Sequence, residues 1–356
     1  MKKADIVKKA RVSFLRANLV QPFRTALGSH ETLENIFFVI ELSDGTKGFG
    51  EAAVAQHITG ETISKTFKNL KNIGEGLIGQ NAGDYLKISK TLHQKLSHNK
   101  SAIAAIETAL MDALTKQWKI PLWKFFGKKA LPLTTDITIV IANLNETQAT
   151  VKKYYCQGFR KFKVKIGRDF DLDVKRVIAV HKLAPRCAIY LDANQGFSAK
   201  QMLEFLKQIE NARVHPVLLE QPVARRDLDG LKHITRSTKI PVCADESVRS
   251  LSEAAAIIRK KAAGVINIKL MKFGLFEARA IALLARLNRV DLMIGGMLET
   301  SLAMTAAAHL AAGLGCFKYV DFDTPFFIKG DVQKNPYLSN KGVYRLSRTK
   351  PGIGIH

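Results

Sequence analysis

The sequence predicts an α/β protein: a modified TIM barrel of (β/α)7β form with an N-terminal α+β capping domain. Three observations predict it. From about residue 133 the chain alternates short apolar runs with amphipathic stretches, the rhythm of strand-helix units. Lys165, Asp192, Glu220, Asp245 and Lys269 each close or directly follow such a run, at steps of 27, 28, 25 and 24 residues. A period of about 20–30 residues is what one strand and its crossover helix consume. The 356 residues leave room for a barrel of about 200–250 residues and a smaller domain.

The first part of the chain has another pattern. Residues 12–15, 36–42 and 47–51 read as strands, and Asp44-Gly45 between the last two is a hairpin signal. Residues 62–77, 84–96 and 101–118 read as helices, the last with apolar side chains at helical spacing. Pro121 and Gly127 end the region. A three-stranded meander followed by helices makes a cap, assigned to residues 1–128, and residues 129–323 are assigned to the barrel. Its candidate strands are 135–141, 161–166, 188–191, 217–220, 241–244, 265–269, 291–294 and 318–320. Amphipathic stretches between them include 173–181, 199–209, 252–260 and 275–287. Eight strands with long crossovers fit a barrel better than an open sheet, and no GxGxxG follows a strand to suggest a dinucleotide fold. Residues 301–317 are apolar but too short and too interrupted for a membrane span, so a buried helix is expected there. The tail, 324–356, is expected to pack back on the cap.

Composition narrows the function classes. With 47% hydrophobic and 24% charged residues the chain is globular. Its four cysteines form no CxxC pair, so a reducing compartment without a disulfide framework is expected. The basic beginning lacks an apolar core, so no signal peptide is expected and the location reads as cytoplasmic. The net charge of +24 is spread along the chain without an aromatic-interleaved basic stripe. It reads as a solvated basic surface, with neither nucleic acid nor membrane as partner. A homo-oligomer stays open.

In a parallel barrel the C-terminal strand ends converge on one face, where the active site is built. Asp192, Glu220 and Asp245 would lie side by side on that rim, and their charges would repel unless a cation joined them. Ligation by oxygen alone favours Mg²⁺ over Zn²⁺. Lys163 and Lys165 share a strand and, by period-two alternation, a face. A neighbouring cation lowers a lysine's pKa and makes it a usable base. Lys269 falls on a strand nearly opposite Lys165 in an eight-stranded ring. A base on each face of one carbon is the arrangement for 1,1-proton transfer, with Mg²⁺ to hold the enediolate formed next to a carboxylate. Asp321 and Asp323, two residues apart at the last strand's end, could clamp a free ammonium group.

These motifs resemble the enolase superfamily, in its muconate-lactonizing-like branch. The resemblance runs from the cap through Lys163-x-Lys165, Asp192-Ala193-Asn194-Gln195, Glu220-Gln221-Pro222, Ala244-Asp245-Glu246-Ser247 and Asn267-Ile268-Lys269-Leu270-Met271-Lys272 to Pro351-Gly352-Ile353-Gly354. It implies a Mg²⁺-dependent enzyme with Asp192, Glu220 and Asp245 as ligands and Lys165 and Lys269 as the acid/base pair. Lys163 would help neutralise the substrate carboxylate. Asp321-Phe322-Asp323-Thr324-Pro325 resembles the dipeptide epimerases, where this motif grips the substrate α-amino group. The segment 295–301, with Met297, resembles their seventh strand, and 22–27, with Arg24, their mobile lid loop. Thr138 resembles a substrate-contacting residue of such enzymes.

The implied reaction is epimerisation at the α-carbon of the C-terminal residue of a dipeptide, L-Ala-D/L-Xxx, with Xxx glutamate or an uncharged or hydrophobic residue. Gly28 stands where enzymes acting on L-Ala-D/L-Glu tend to carry an Arg, which puts glutamate in doubt. Leu275, where relatives usually show Gly, reads as a local loop variation. The alternatives are an N-acylamino-acid racemase, an o-succinylbenzoate synthase or a muconate-cycloisomerase-like enzyme, none of which needs an ammonium clamp.

Overall fold

The structure is a computed structural model that describes residues 5–26 and 28–355. Leu27 of the lid segment and the first four residues of the basic beginning lie outside the described residues.

The cap is an antiparallel sheet of β1 (Val7–Thr25), β2 (Gly28–Leu42) and β3 (Lys47–Ala52), in that order. β1 and β2 are far longer than their apolar runs. Their pairing passes an irregularity between Asn18 and Phe23 and continues to Thr25 opposite Gly28. The lid segment is therefore the end of a hairpin. Its mixed, partly exposed residues give no period-two signal, because backbone pairing rather than burial holds it. The helices Ile63–Leu77, Tyr85–Lys95 and Lys100–Gln117 follow. The third is buried on every side from Ser101 to Thr115, not only along one stripe. It presses on β3 so closely that a Cβ at Gly48 or Gly50 would stand 1.9 or 2.0 Å from the carbonyl oxygen of Ala109 or Ala105. Glycine is what permits that approach. On another side its Glu107 accepts the Leu275 and Phe276 N–H groups of the barrel (2.6 and 3.1 Å).

After the short β4 (Leu133–Thr134) come eight parallel strands in chain order. They are β5 (Ile137–Ile139), β6 (Lys161–Lys165), β7 (Ala188–Asp192), β8 (Leu218–Glu220), β9 (Val242–Ala244), β10 (Val265–Lys269), β11 (Asp291–Gly295) and β12 (Tyr319–Asp321). Helices Leu144–Gln157, Phe170–Leu183, Ala199–Asn211, Leu228–Ser237, Leu251–Lys260, Leu275–Leu287 and Ser301–Leu314 connect them, which is the (β/α)7β pattern. Six of the seven start at a side-chain cap, from Asn143, Asp169, Ser198, Asp227, Ser250 or Thr300, and these caps satisfy N–H groups that the first turn leaves unpaired. No ladder joins β5 to β12. The Asp136 N–H to the Val320 carbonyl (3.2 Å) and the Phe322 N–H to Thr135 Oγ1 (2.7 Å) close the ring instead. Inside it, Tyr190, Leu218, Cys243, Val265, Met293 and Tyr319 form an apolar plug. Two residues further along the same strands stand Asp192, Glu220, Asp245, Asn267, Gly295 and Asp321. Period-two alternation thus puts the polar layer directly on the plug.

The tail touches both parts. β13 (Val343–Tyr344) pairs with β4, the Tyr344 hydroxyl donates to the Phe322 carbonyl (2.9 Å), and the Ile353 N–H donates to Asp112 of the cap (2.7 Å). Residues 301–314 are the buried helix expected there, and among the described residues no helix is long and apolar enough to cross a membrane. The four cysteines are free.

Candidate active site

Neighbouring strand ends line up Lys165 opposite Asp192 and Asp192 opposite Glu220, and Asp245 follows β9 directly. All are buried. Lys163 Nζ lies 2.9 Å from Asp192 Oδ2, 2.8 Å from Glu220 Oε2 and 2.6 Å from Asp321 Oδ2. Lys165 Nζ donates to Asp192 Oδ2 (2.6 Å) and Asn194 Oδ1 (3.1 Å). Across the ring, Lys269 Nζ lies 2.7 Å from Asp245 Oδ2. Lys272, outside the predicted set, donates to Asp245 Oδ1 (2.5 Å) and to the Asn267 carbonyl (3.1 Å), and Asn267 Nδ2 donates to Glu220 Oε1 (2.8 Å). Asn267 sits two residues before Lys269 on one strand, so period-two alternation could have found it.

The electrostatics follow from burial against neighbours. Burial opposes the Lys163 and Lys269 charges, but carboxylates overcome it: Asp192, Asp321 and Glu220 for Lys163, Asp245 and Glu220 for Lys269. Both lysines therefore sit above the ordinary ammonium value. The expectation that one lysine lowers the next does not hold for them, because the acids outweigh the neighbouring ammonium. Burial opposes the Asp192 and Asp245 charges too, and the lysines more than offset it, which holds both acids well below the carboxylate range. Glu220 goes the other way. Burial and then Asp192 push it up to about 8.

The three acids fit a hard cation. Each offers carboxylate oxygen from an adjacent strand end, with no thiol or imidazole in the set. Glu220 Oε2 and Asp245 Oδ2 are buried without a hydrogen bond, although Lys163 and Lys269 lie at ion-pair distance from them. The ammonium groups balance their charge off the hydrogen-bonding direction and leave lone pairs for another partner.

At the last strand, Asp321 and Asp323 stand beside a residue the sequence reading passed over. Asp136, Asp321 and Asp323 have carboxylate oxygens within 4.8 Å of one another, a group distinct from the three strand-end acids. Asp323 accepts the Thr138 backbone N–H (2.5 Å). Burial, then Asp321, push Asp323 up to about 7. Burial opposes the Asp321 charge as well, but Lys163 and Lys269 keep that acid below its usual value.

A cavity of about 300 Å³ covers this face. Lys163, Lys165, Lys269, Asn194, Thr138, Asp321 and Asp323 line it from the barrel. The wall from the cap is mixed: Phe23, Ala53, Val54, Ala55, Ile58 and Ile63, with Met297 and Leu298, are apolar, and Thr25, His30, Thr32, Glu34, Asn35 and Gln56 are polar. Met297 Sδ is 3.9 Å from Lys269 Nζ. Arg24 does not line the cavity. Its side chain is 41% exposed, and its guanidinium lies 3.8 Å from Glu146.

Arg176, fully buried, braces the site from behind. It donates to the carbonyls of Lys165 (2.8 Å) and Val140 (2.6 Å), to Thr147 Oγ1 (3.0 Å) and to Asp173 Oδ1 (2.8 Å). Asp173 in turn accepts the Gly167 and Arg168 N–H groups (2.7 and 3.2 Å). Arg176→Ala leaves the buried Asp173 charge without its cation, and the expected loss is about 3–5 kcal/mol in urea unfolding. A loss under about 1 kcal/mol would show that the guanidinium does not brace the strand ends.

Comparison with known proteins places the chain. "Mandelate racemase / muconate lactonizing enzyme, N-terminal domain" matches residues 9–127, and "Enolase C-terminal domain-like" matches residues 146–356. The hydrophobic dipeptide epimerase of Citrifermentans bemidjiense is 46% identical over 98% of this chain and 97% of its own length. The L-Ala-D/L-Glu epimerase of Bacillus subtilis is 34% identical over 98% of this chain and 96% of its own. A crystal structure of the dipeptide epimerase from Enterococcus faecalis V583, complexed with Mg and L-Leu-L-Tyr, is similar with a TM-score of 0.93 at 31% identity, covering 98% of this chain and 99% of that one.

Proposed function

We propose a specific reaction for this chain, which belongs to the mandelate racemase/muconate lactonizing enzyme family of the enolase superfamily and is an isomerase of the dipeptide epimerase group. The reaction is two-base 1,1-proton transfer at the α-carbon of the C-terminal residue of a dipeptide, L-Ala-D/L-Xxx, with Xxx uncharged or hydrophobic. One observation carries this reading. Lys165 and Lys269 reach one cavity from opposite strands, and the paired acids Asp321 and Asp323 line the same cavity.

Lys165 and Lys269 exchange roles with the substrate's configuration, one removing the α-proton and the other returning a proton to the opposite face. Asp321 and Asp323 hold the dipeptide's ammonium group, which sets the α-carbon between the lysines. Lys163 stands between the clamp and the acids at β7 and β8 and neutralises negative charge there. Asp192, Glu220 and Asp245 would hold Mg²⁺. That ion, when bound, supplies positive charge where deprotonation beside the carboxylate develops negative charge. Members of the superfamily bind a divalent metal, and the Enterococcus faecalis relative is complexed with Mg.

The apolar part of the lining, Ala53 to Ala55 with Ile58, Ile63, Met297 and Leu298, supports a hydrophobic Xxx, as does the relative at 46% identity that is named for hydrophobic dipeptides. The absence of Arg at position 28 agrees with it. A side chain there is accommodated, because a Cβ on Gly28 meets nothing within 4 Å. Gly28→Arg is expected to raise kcat/KM for L-Ala-L-Glu about tenfold, the worth of one charge-assisted hydrogen bond. An unchanged ratio to L-Ala-L-Leu would mean that residue 28 does not face the substrate side chain.

The function is tested by measuring epimer formation, with Mg²⁺, across L-Ala-L-Xxx dipeptides and N-succinyl amino acids. Turnover of apolar dipeptides supports the reading. Turnover of the N-succinyl set alone would mean an N-acylamino-acid racemase and a misread clamp.

A further inference from the structure

We propose that Glu51 and Asn35 of the capping domain are positioning residues for Lys269, acting through the loop 296–300 that sets Met297 against its ammonium group. The inference rests on the two-base reading.

Glu51 is the penultimate residue of β3 and Asn35 lies on β2, and both are almost fully buried. Asn35 Nδ2 donates to Glu51 Oε1 (2.6 Å) and, across to the barrel, to the Leu298 carbonyl (2.9 Å). Both Glu51 oxygens accept from Thr300, Oε1 from its N–H (3.1 Å) and Oε2 from its hydroxyl. The loop is also held from within. Glu299 accepts the Met297 N–H (2.7 Å), and its carbonyl accepts the Thr324 hydroxyl (2.7 Å). The path from Glu51 to Met297 is thus a short chain of satisfied buried hydrogen bonds, and Met297 ends 3.9 Å from Lys269 Nζ.

Lys165 is reached from the cap by a different route: the Ile141 N–H donates to the Arg24 carbonyl (3.1 Å), and Arg176 joins the neighbouring Val140 carbonyl to that of Lys165. That lysine is set by Asp192, Asn194 and, through its carbonyl, Arg176. Glu51 and Asn35 take no part in that route, so the latch acts on one base and not on the other. It also joins that base to the substrate wall, because Ala53 and Ala55, two and four residues after Glu51, line the cavity.

The test uses α-deuterium exchange from D₂O, with Mg²⁺, on L-Ala-L-Leu and L-Ala-D-Leu separately. The epimer facing Lys269 is the one whose exchange disappears in Lys269→Ala. In Glu51→Gln the exchange of that epimer relative to the other is expected to fall about tenfold, as a base displaced by a fraction of an ångström loses rate. If Glu51→Gln does not fold, Thr300→Val, which removes the hydroxyl that Glu51 accepts, reads the same ratio. An unchanged ratio, with both epimers slowed alike or neither slowed, overturns the latch. A wild-type protein that exchanges neither epimer sinks the two-base reading itself.

Discussion

Lys269→Ala abolishes epimerisation while one epimer of the substrate still exchanges its α-proton with solvent. The first half follows from removing one of two bases. A positioned acid or base contributes about 10²–10⁴-fold, and with no group on the Lys269 face the proton cannot be delivered there. The second half follows from the geometry. Lys165 stays anchored by Asp192 and Asn194 on the far side of the ring, so it removes and returns a proton on its own face. Lys165→Ala gives the mirror result, with exchange confined to the other epimer. Lys269→Ala also takes one cation from Asp245, but Lys272 remains at 2.5 Å. Mg²⁺ binding by calorimetry is therefore expected to survive. A Lys269→Ala enzyme that epimerises at the wild-type rate would end the two-base mechanism.

Asp323→Asn is expected to separate substrates by their amino group. A carboxylate that clamps an ammonium contributes about 1.5–3 kcal/mol, so kcat/KM for a free-amino dipeptide falls by about 10–100-fold. An N-acylated analogue, which has no ammonium, is unaffected. The pH profile carries the same information. Burial and Asp321 push Asp323 up to about 7. It is ionised above that value and protonated below it, so dipeptide binding weakens as the pH falls through about 7. It weakens again above about 8, where the α-amino group loses its proton. In Asp323→Asn the lower limb disappears. Equal losses for both substrate types would mean that Asp323 supports the strand end through Thr138 and does not touch the ammonium group.

Much of this site could be read from the chain because barrel strands advertise themselves. Asp192, Glu220 and Lys269 each close an apolar run, and the even steps between them require a repeating unit. Lys163 and Lys165 declared a shared face by their spacing. What escaped depends on distant partners. Arg176 lies inside an amphipathic stretch and looks like a solvated helix residue. Only the packed barrel shows it reaching the Lys165 and Val140 carbonyls. Glu51 meets Thr300 across 249 residues, a pairing no local pattern encodes. Asp136 stands next to a three-residue strand and gains meaning only because β5 and β12 meet without a ladder. Arg24 shows the converse. Its motif drew attention to it, but on the hairpin its side chain turns to Glu146 and not to the cavity.

The most direct measurement of the central claim is mass-spectrometric localisation of deuterium after incubating L-Ala-L-Leu in D₂O with the wild-type protein and Mg²⁺. The account predicts one deuterium at the leucine α-carbon, none at alanine, and a product pool of both leucine configurations. Deuterium at alanine, or no exchange in any apolar dipeptide, would contradict it.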